Sequence, residues 1–379
     1  MKDKKIRILI AIPNLYGGTG VFCRNLAKGL KKYFYHKYEI ILLIFDNTGL
    51  LEKDKEIFDS IYSKNKYPHK DIRRIIEFFL YIQWVKKILK NLNPDIVLSI
   101  GTYLNIIMSL IIKKNKLILT EHDVPSVRLN YSSYKYIIKL IMKFLYRDKL
   151  IIGVSKKVKE DLKKNFKVKN AKFIYYGVDK EEIYILSEEA INEDIINKPY
   201  IISIGRLTTQ KDFLTLIKAY SITLNKNKEI KENLIIIGDG EDKQKILKLI
   251  RELNLSDRVF LLGYKQNPYP YLKKARLFVL PSIWEGCPTV LIEALVLGIP
   301  IISTNWLGAS EILDNGKYGI LVPSKDHKKM GEEIFNLLNH PEMLEVLKKK
   351  SRERGDFFSL QRMVNSYNEV FENLKYGKN

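Results

Sequence analysis

Short, strongly apolar segments rich in Ile, Val and Leu recur along this chain, and most are followed by a segment with helical spacing of apolar residues. Continuous branched-apolar runs are typical of strands buried on both faces, as in parallel sheets. In the first half they cover residues 6–12, 39–45, 95–99, 116–120 and 150–154, with helical spacing at 21–30 and 71–92. Strands that alternate with helices predict an open parallel sheet covered by helices.

The same alternation restarts after Lys198-Pro199. Further strands are predicted at 200–204, 233–237, 258–262, 277–280 and 299–303, with helices at 213–221 and 243–253. The acidic, poorly periodic stretch 181–198 is predicted to be a linker. The chain therefore divides into domains at 1–180 and 199–358 and a final helical segment at 359–379. Two open α/β domains predict a ligand crevice where the carboxyl ends of their strands face each other.

Composition limits the compartment and the class of protein. The chain has 379 residues, of which 46% are hydrophobic, enough for two cored domains. Its two cysteines, Cys23 and Cys287, lie far apart and indicate a reducing compartment without a disulfide framework. We find no signal peptide, and the run that comes nearest to a membrane span, 106–112, is too short for one. These features predict a cytoplasmic protein.

Positive charge is concentrated in the first half of the chain. The net charge is +22, and residues 1–180 hold 37 Lys and Arg against 16 Asp and Glu, a net +21. Such asymmetry indicates an anionic partner: nucleic acid, anionic lipid or a polyanionic substrate. A lysine-rich genome is the plain alternative, although it would not spare one half of the chain.

The run from Pro281 to Pro300 contains the strongest chemical signal. It places Glu285 in a Gly-Pro-rich turn after a strand and Glu293 in the helical segment that follows. Pro288 suits the first turn of that helix, where it loses no hydrogen bond. Backbone N–H groups at a helix N-terminus bind anions, here those of Gly286, Cys287 and Thr289. Two carboxylates around a phosphate-sized site suit a nucleotide sugar. Alternatively, Glu285 only favours the helix N-terminus and Glu293 is a solvated helix residue.

A second segment, residues 202–213, offers cations at a strand-to-helix turn. Arg206 can bind phosphate oxygens through two N–H groups, and Lys211 adds a point charge. Taken alone, the pair could equally be surface cations. We find no cluster of His, Cys and carboxylates with metal-ligand spacing. The Asp239-Gly240-Glu241-Asp242 stretch could be mistaken for an Asp-x-Asp metal site.

These motifs resemble those of family 4 glycosyltransferases, which are retaining enzymes of the GT-B fold. The resemblance rests on a Ser-x-x-Glu-Gly turn with a Glu eight residues later, and on Gly205-Arg206-Leu207 followed by Lys211-Asp212. It implies that Glu285 contacts the donor hexose, Glu293 contacts the ribose, and Arg206 and Lys211 hold the diphosphate without a metal or other cofactor. It also implies that the final helix crosses back to the first domain.

The resemblance extends to other positions. His122, at the end of the strand at 116–120, would contact the donor hexose as a second catalytic residue, and the Gly17-Gly18 loop would lie near donor phosphate and acceptor. Gly238, in a strand-Gly-Asp-Gly context near the nucleotide base, and Gly263 complete the donor-binding set, which also comprises Arg206, Lys211, Glu293, Gly286, Cys287, Pro288, Thr289, Gly17 and Gly18. The chain departs from the family at Cys287, usually aromatic, and at Thr19-Gly20.

The sequence therefore predicts a retaining glycosyltransferase. It would transfer a hexose or N-acetylhexosamine from a nucleotide-diphosphate sugar, with a UDP-sugar favoured, to a glycan or polyisoprenoid-linked acceptor in cell-surface polysaccharide synthesis. A sugar-nucleotide epimerase of similar architecture is the alternative enzyme. A basic nucleic-acid-binding protein is the alternative of another class, but we find no nucleic-acid-binding module, and no nucleic-acid partner is expected.

We also expect peripheral attachment to the anionic inner face of the plasma membrane through residues 1–180. Residues 131–150 interleave lysines with Tyr, Ile, Phe and Leu, as in an interfacial helix. The 71–92 helix, with Phe78, Phe79, Tyr81 and Trp84, is a second candidate. The competing interpretation is that both apolar stripes pack in the core, which is the usual fate of such a stripe.

Overall fold

The computed structural model describes residues 5–64, 73–191 and 193–377, with only the backbone described for 73–79. The chain forms two compact units. The first comprises Met1–Gly177 together with Leu360–Asn379, and the second comprises Val178–Ser359.

The first unit is built on a seven-stranded parallel sheet. Its strands are β1 (Ile6–Ile12), β2 (Tyr38–Ile44), β3 (Ser60–Ser63), β4 (Ile96–Ile100), β5 (Leu117–Glu121), β6 (Leu150–Gly153) and β7 (Asn170–Phe173), in the order β3-β2-β1-β4-β5-β6-β7. The central strands are almost entirely buried, which explains their continuous apolar sequences. Strand β1 pairs with β2 in a register that places Ile6 opposite Tyr38 and Ile12 opposite Ile44.

The helices described between these strands are α1 (Gly17–Tyr33), α2 (Asp54–Ile57), α3 (Arg73–Leu92), α4 (Thr102–Ile111), α5 (Pro125–Leu129), α6 (Lys135–Tyr146) and α7 (Lys156–Phe166). The chain steps one way across the sheet from β1 to β2, and the other way from β4 to β7. Since parallel crossovers are right-handed, α1 covers one face of the sheet, while α4, α6 and α7 cover the other.

The second unit is built on a six-stranded parallel sheet. Its strands are β8 (Tyr200–Ile204), β9 (Asn233–Ile237), β10 (Val259–Leu261), β11 (Leu277–Leu280), β12 (Ile301–Thr304) and β13 (Ile320–Val322), in the order β10-β9-β8-β11-β12-β13. Its helices are α8 (Lys180–Ser187), α9 (Phe213–Lys226), α10 (Lys243–Glu252), α11 (Tyr269–Lys274), α12 (Thr289–Val296), α13 (Leu307–Ile312), α14 (His327–Asn339) and α15 (Pro341–Gly355). Short 3₁₀ turns occur at Lys114–Lys116 in the first unit, and at Asp194–Asn197 and Asp356–Phe358 in the second.

The prediction of two parallel α/β sheets is confirmed, although several boundaries differ. Residues 181–198, predicted as a linker, belong to the second unit and mostly form α8 and a 3₁₀ turn. Asp179 caps α8 by accepting a hydrogen bond from the backbone N–H of Glu182. The hydroxyl of Tyr184 donates to the backbone carbonyl of Val296 at 2.8 Å, which fixes α8 to that unit.

The last helix, α16 (Leu360–Tyr376), belongs to the first unit and packs against α1. The two helices approach each other closely at Gly29, which has no side chain; a Cβ atom there would lie 2.4 Å from Cγ2 of Val364. Tyr367 and Phe371 are fully buried. The side-chain carbonyl of Asn368 accepts hydrogen bonds from Nζ of Lys37 at 2.8 Å and from the hydroxyl of Tyr38 at 2.6 Å.

Candidate active site

In the second unit, Glu285 lies in the loop that follows β11 and is held by two partners. Its Oε2 is 2.8 Å from Nζ of Lys211, and both side chains are 13% exposed. The hydroxyl of Ser282, which is fully buried, donates to Oε1 at 2.6 Å. The structure therefore brings together Glu285 and Lys211, which are 74 positions apart in the sequence. A lysine and a hydroxyl bound to the two oxygens of one carboxylate fix its direction.

The loops that carry these two residues are joined by Gln210. Its amide nitrogen donates to the backbone carbonyl of Trp284 at 2.8 Å, and its own backbone carbonyl accepts from the N–H of Ile283 at 2.8 Å. Both loops leave the carboxyl ends of adjacent strands, β8 and β11. Their spacing is thereby set by the sheet, which is where ligand sites in open α/β sheets lie.

The loop of Arg206 is tied to the Gly238 loop through the backbone. The N–H of Gly205 donates to the carbonyl of Ile237 at 3.0 Å, and that of Leu207 to the carbonyl of Asp239 at 3.0 Å. Gly238 has a φ of +145°, and a Cβ atom there would lie 1.9 Å from the carbonyl oxygen of Gly205. Only glycine fits this approach. Arg206 is exposed, and among the described residues its guanidinium forms no hydrogen bond or ion pair.

Gly263, the last predicted donor-binding glycine, lies two residues beyond the end of the neighbouring strand β10. Its φ is +69°, and its carbonyl accepts a hydrogen bond from the N–H of Gly238 at 2.8 Å. Gly263 therefore supports the Gly238 turn, and both predicted glycines lie at the same edge of the sheet.

Glu293 lies on α12 and is 6% exposed. Burial raises the pKa of its carboxyl group from 4.5 to about 7, and the hydroxyl of Tyr269, 3.4 Å from Oε1, offsets this only weakly. A carboxylate buried with so little hydrogen bonding is costly unless a ligand supplies donors. The interpretation of Glu293 as a solvated helix residue is therefore wrong.

The N-terminus of α12 also differs in detail from the prediction. Pro288 is the N-cap, with extended backbone, and α12 begins at Thr289. Gly286, Cys287 and Pro288 are buried. Sequence reasoning missed Gly308, against which this turn packs: a Cβ atom there would lie 2.5 Å from the carbonyl oxygen of Gly286.

In the first unit, His122 follows β5, and both of its ring nitrogens have partners. Nε2 lies 2.8 Å from Oγ1 of Thr120, and Nδ1 contacts the hydroxyl of Tyr176. The hydroxyl of Thr120 already donates to the carbonyl of Ser99 at 3.0 Å, which assigns the proton to Nε2 of His122. Burial beside Phe22, 4.9 Å away between ring centroids, lowers the pKa of His122 to about 3, so the ring is neutral.

The Gly17-Gly18 loop is shorter than predicted, because α1 already begins at Gly17. Both glycines are exposed, and Gly17 has a φ of +72°. Gly20, which precedes the predicted helix at 21–30, lies inside α1 and is a packing position: a Cβ atom there would lie 1.9 Å from the carbonyl oxygen of Leu15.

A buried ion pair that the sequence did not reveal fixes this loop. Nε of Arg24 lies 2.6 Å from Oδ1 of Asp54, which is fully buried, and Nη1 donates to the carbonyl of Leu15 at 3.1 Å. The partners are 30 positions apart, and no spacing rule links them.

Within the described residues, no three His, Cys, Asp or Glu side chains converge as a metal site. No helix of that part of the chain is long and apolar enough to cross a membrane.

Comparison with known proteins identifies the family. Residues 186–354 match the model described as glycosyl transferases group 1, and residues 16–182 match glycosyltransferase family 4. The chain is 30% identical over 288 residues to the N-acetylgalactosamine-N,N'-diacetylbacillosaminyl-diphospho-undecaprenol 4-alpha-N-acetylgalactosaminyltransferase of Campylobacter jejuni, covering 74% of this chain and 76% of that one. The chain belongs to glycosyltransferase family 4.

Solved structures agree with the fold of this glycosyltransferase. Sucrose-phosphate synthase from Thermosynechococcus elongatus superposes with a TM-score of 0.79 at 16% identity, over 98% of this chain and 100% of that one. The Anabaena protein HepE in complex with UDP-glucose superposes with a TM-score of 0.78 at 16% identity, over 97% of this chain and 99% of that one. The fold is GT-B, with two Rossmann-like units.

Proposed function

We propose that this glycosyltransferase transfers a hexose or N-acetylhexosamine, with retention of configuration, from a nucleotide-diphosphate sugar to a glycan or polyisoprenoid-linked acceptor of a surface polysaccharide. The observation that carries the proposal is the Lys211–Glu285 pair at the carboxyl edge of the second sheet, beside the exposed Arg206. A UDP-sugar is the favoured donor, and no metal or other cofactor is required.

The donor fits this arrangement group by group. Glu285, fixed by Lys211 and Ser282, accepts hydrogen bonds from sugar hydroxyls. Arg206 and Lys211 neutralise the leaving diphosphate, where negative charge grows in the transition state. The buried Glu293 accepts hydrogen bonds from ribose hydroxyls, which supply the donors that its own surroundings lack.

No residue is assigned as a covalent nucleophile. The acceptor hydroxyl attacks the anomeric carbon from the face that the diphosphate leaves, and its proton passes to a departing phosphate oxygen. The C1–O bond to the diphosphate breaks as the new C1–O bond forms. His122, neutral at physiological pH, assists by hydrogen bonding to the donor sugar through Nε2–H, for which it exchanges its contact with Thr120.

The acceptor class is supported by a relative. The Campylobacter jejuni protein is named for a diphospho-undecaprenol acceptor and for transfer of N-acetylgalactosamine. For an acceptor of that kind, we propose a cytoplasmic enzyme that associates peripherally with the inner face of the plasma membrane. The net +21 on residues 1–180 supports attraction to its anionic lipids.

The test is a thermal-shift screen of nucleotide sugars, followed by a transfer assay with a polyprenyl-diphosphate glycan. A donor should raise the melting temperature by mass action, and acceptor should then trigger release of nucleoside diphosphate. Glu285→Gln and Arg206→Ala should each lower transfer about a hundredfold, the effect of losing one transition-state charge contact. Arg251→Ala, an exposed position on α10, is the matched control and should keep the full rate.

Wild-type rates in both site variants would overturn the assigned roles. Epimerisation of the nucleotide sugar without acceptor-dependent release of nucleoside diphosphate would identify an epimerase instead.

A further inference from the structure

Helix α6 presents an apolar side to the solvent. Tyr136 is 78% exposed, Leu140 70% and Phe144 84%, and Ile137 between them is also exposed. The opposite side of the helix packs inward through Met142 and Tyr146, which are fully buried. A helix on the surface of a soluble domain usually has the reverse arrangement, with polar residues outward. The interpretation of this stripe as core is therefore wrong.

The other candidate helix, α3, packs into the core through Tyr81 and Trp84. The ring of Tyr81 is buried and stacks on Phe45 with 5.7 Å between centroids, and Trp84 packs edge-on against the same ring. Phe78 and Phe79 lie outside the described side chains. Leu80, at the start of the part of α3 whose side chains are described, is 50% exposed, but no row of exposed apolar side chains like that on α6 follows it there.

Helix α4, which packs against α6, also carries exposed apolar side chains. Tyr103 and Leu110, seven positions apart on one side of α4, are both more than half exposed. The two helices are neighbours on one face of the sheet, and the hydroxyl of Tyr146 donates to the backbone carbonyl of Thr102 at 3.3 Å. We call this surface the α4–α6 face, defined by Tyr103, Leu110, Tyr136, Ile137, Leu140 and Phe144. Exposed apolar patches of several hundred Å² mark interaction sites.

The charge around this face indicates which kind of partner it binds. Residues 102–120 and 124–147, which contain both helices, hold eight basic residues and no Asp or Glu. Lys135, Lys139 and Lys143 follow each other at one-turn spacing along one flank of α6 and are partly exposed. A partner for such a surface is apolar and anionic at once. A second copy of this chain would oppose lysines to lysines, which disfavours self-association.

We propose that the α4–α6 face docks on an anionic lipid bilayer, with the apolar side chains among the acyl chains and the lysine row at the headgroups. This inference rests on the proposed function and gives the peripheral attachment a defined surface. The arrangement matches helices that lie in the membrane interface, apolar side down and basic residues alongside.

The direction of the two helices determines which edge of the first sheet lies near the membrane after docking. Helices α4 and α6 begin after the carboxyl ends of β4 and β5, the edge that also carries His122 and Gly17. When both helices lie along the interface, this edge is held at headgroup height. The diphosphate of a lipid-linked acceptor is found at that height.

The experiment is sedimentation of the full chain with vesicles of phosphatidylglycerol and phosphatidylcholine, and with phosphatidylcholine alone. We expect binding to the anionic vesicles that weakens with salt. The double variant Leu140→Glu/Phe144→Glu should lower partitioning at least about a hundredfold, given the transfer free energies of such side chains. Lys139→Gln/Lys143→Gln should lower binding to anionic vesicles about thirtyfold and leave binding to neutral ones unchanged.

The matched control is Tyr35→Glu, which changes an aromatic side chain of the same unit that is 69% exposed and precedes β2. It should bind vesicles like the wild type. Each variant should keep the wild-type thermal shift with the donor, which verifies folding and separates this test from that of the proposed function.

Equal recovery of the wild type in the supernatant at low salt would overturn the proposal. So would a double variant that binds as well as the control. If the double variant instead converted a wild-type dimer to a monomer without affecting vesicle binding, the α4–α6 face would be a self-association surface and the proposal would be wrong.

Discussion

Replacing the buried Glu293 by Gln should stabilise the enzyme at alkaline pH while weakening the donor site. Burial raises the pKa of this carboxyl from 4.5 to about 7. Folding therefore favours the protonated form, and the folded state loses stability relative to the unfolded chain as pH rises from 4.5 through 7. At 1.36 kcal/mol per unit of pKa, the loss is about 3 kcal/mol at pH 8 and under about 1 kcal/mol at pH 5.

Glutamine keeps the shape of the protonated side chain and does not ionise. The Glu293→Gln variant should therefore exceed the wild type in free energy of unfolding by about 2 to 3 kcal/mol more at pH 8 than at pH 5. For a unit of this size that corresponds to a difference of roughly 5–10 °C in melting temperature. Differential scanning calorimetry of the full chain measures it, with Glu345→Gln on the exposed side of α15 as control.

The same substitution should weaken donor binding at least about tenfold, because ribose hydroxyls lose an ionised acceptor. In the wild type, donor binding should release a proton near pH 7, which calorimetric titration in buffers of different ionisation enthalpy detects. A variant whose stability relative to the wild type is independent of pH would refute the buried-carboxylate reasoning. An unchanged donor affinity would refute the contact with the ribose.

Three further outcomes are expected. Ser282→Ala removes the 2.6 Å hydrogen bond to Glu285 and should lower kcat/KM about tenfold; an unchanged value in a steady-state assay would show that the hydroxyl does not position the carboxylate. Gly238→Ala forces a side chain to within 1.9 Å of a carbonyl oxygen and should destabilise the second unit by at least about 2 kcal/mol in denaturant unfolding; wild-type stability would contradict the close approach. Transfer should persist in EDTA, because Arg206 and Lys211 supply the cations for the leaving diphosphate; loss in chelator with recovery in manganese would exclude that role.

The architecture could be predicted because the central strands are buried on both faces and leave an unmistakable apolar pattern. The two edge strands of the first sheet were missed for the opposite reason: β3, Ser-Ile-Tyr-Ser, and β7, Asn-Ala-Lys-Phe, are short and partly exposed. Helix α8 was mistaken for a linker because its stability comes from the Asp179 cap and from contacts within the second unit, not from a strong periodicity.

The residues of the candidate site also differ in how far the sequence could predict them. The pattern around Glu285 and Glu293 could be recognised because its residues are close in sequence. The resemblance assigned Lys211 and Glu285 to the donor site but did not predict their contact. The roles of Gly308 and the Arg24–Asp54 pair could not be predicted either, since each depends on segments that only the fold brings together. The roles of the site residues remain predictions for the assays above.

The position of α16 has a consequence for the order of events during synthesis. The whole second unit, Val178–Ser359, leaves the ribosome before Leu360–Tyr376, the helix that contributes Tyr367 and Phe371 to the core of the first unit. Domains usually fold as units in order of emergence. Here the unit that is translated first is completed last, and until then the side of α1 around Gly29 is an exposed apolar surface. A nascent chain stalled before residue 360 should therefore recruit chaperones through its N-terminal half.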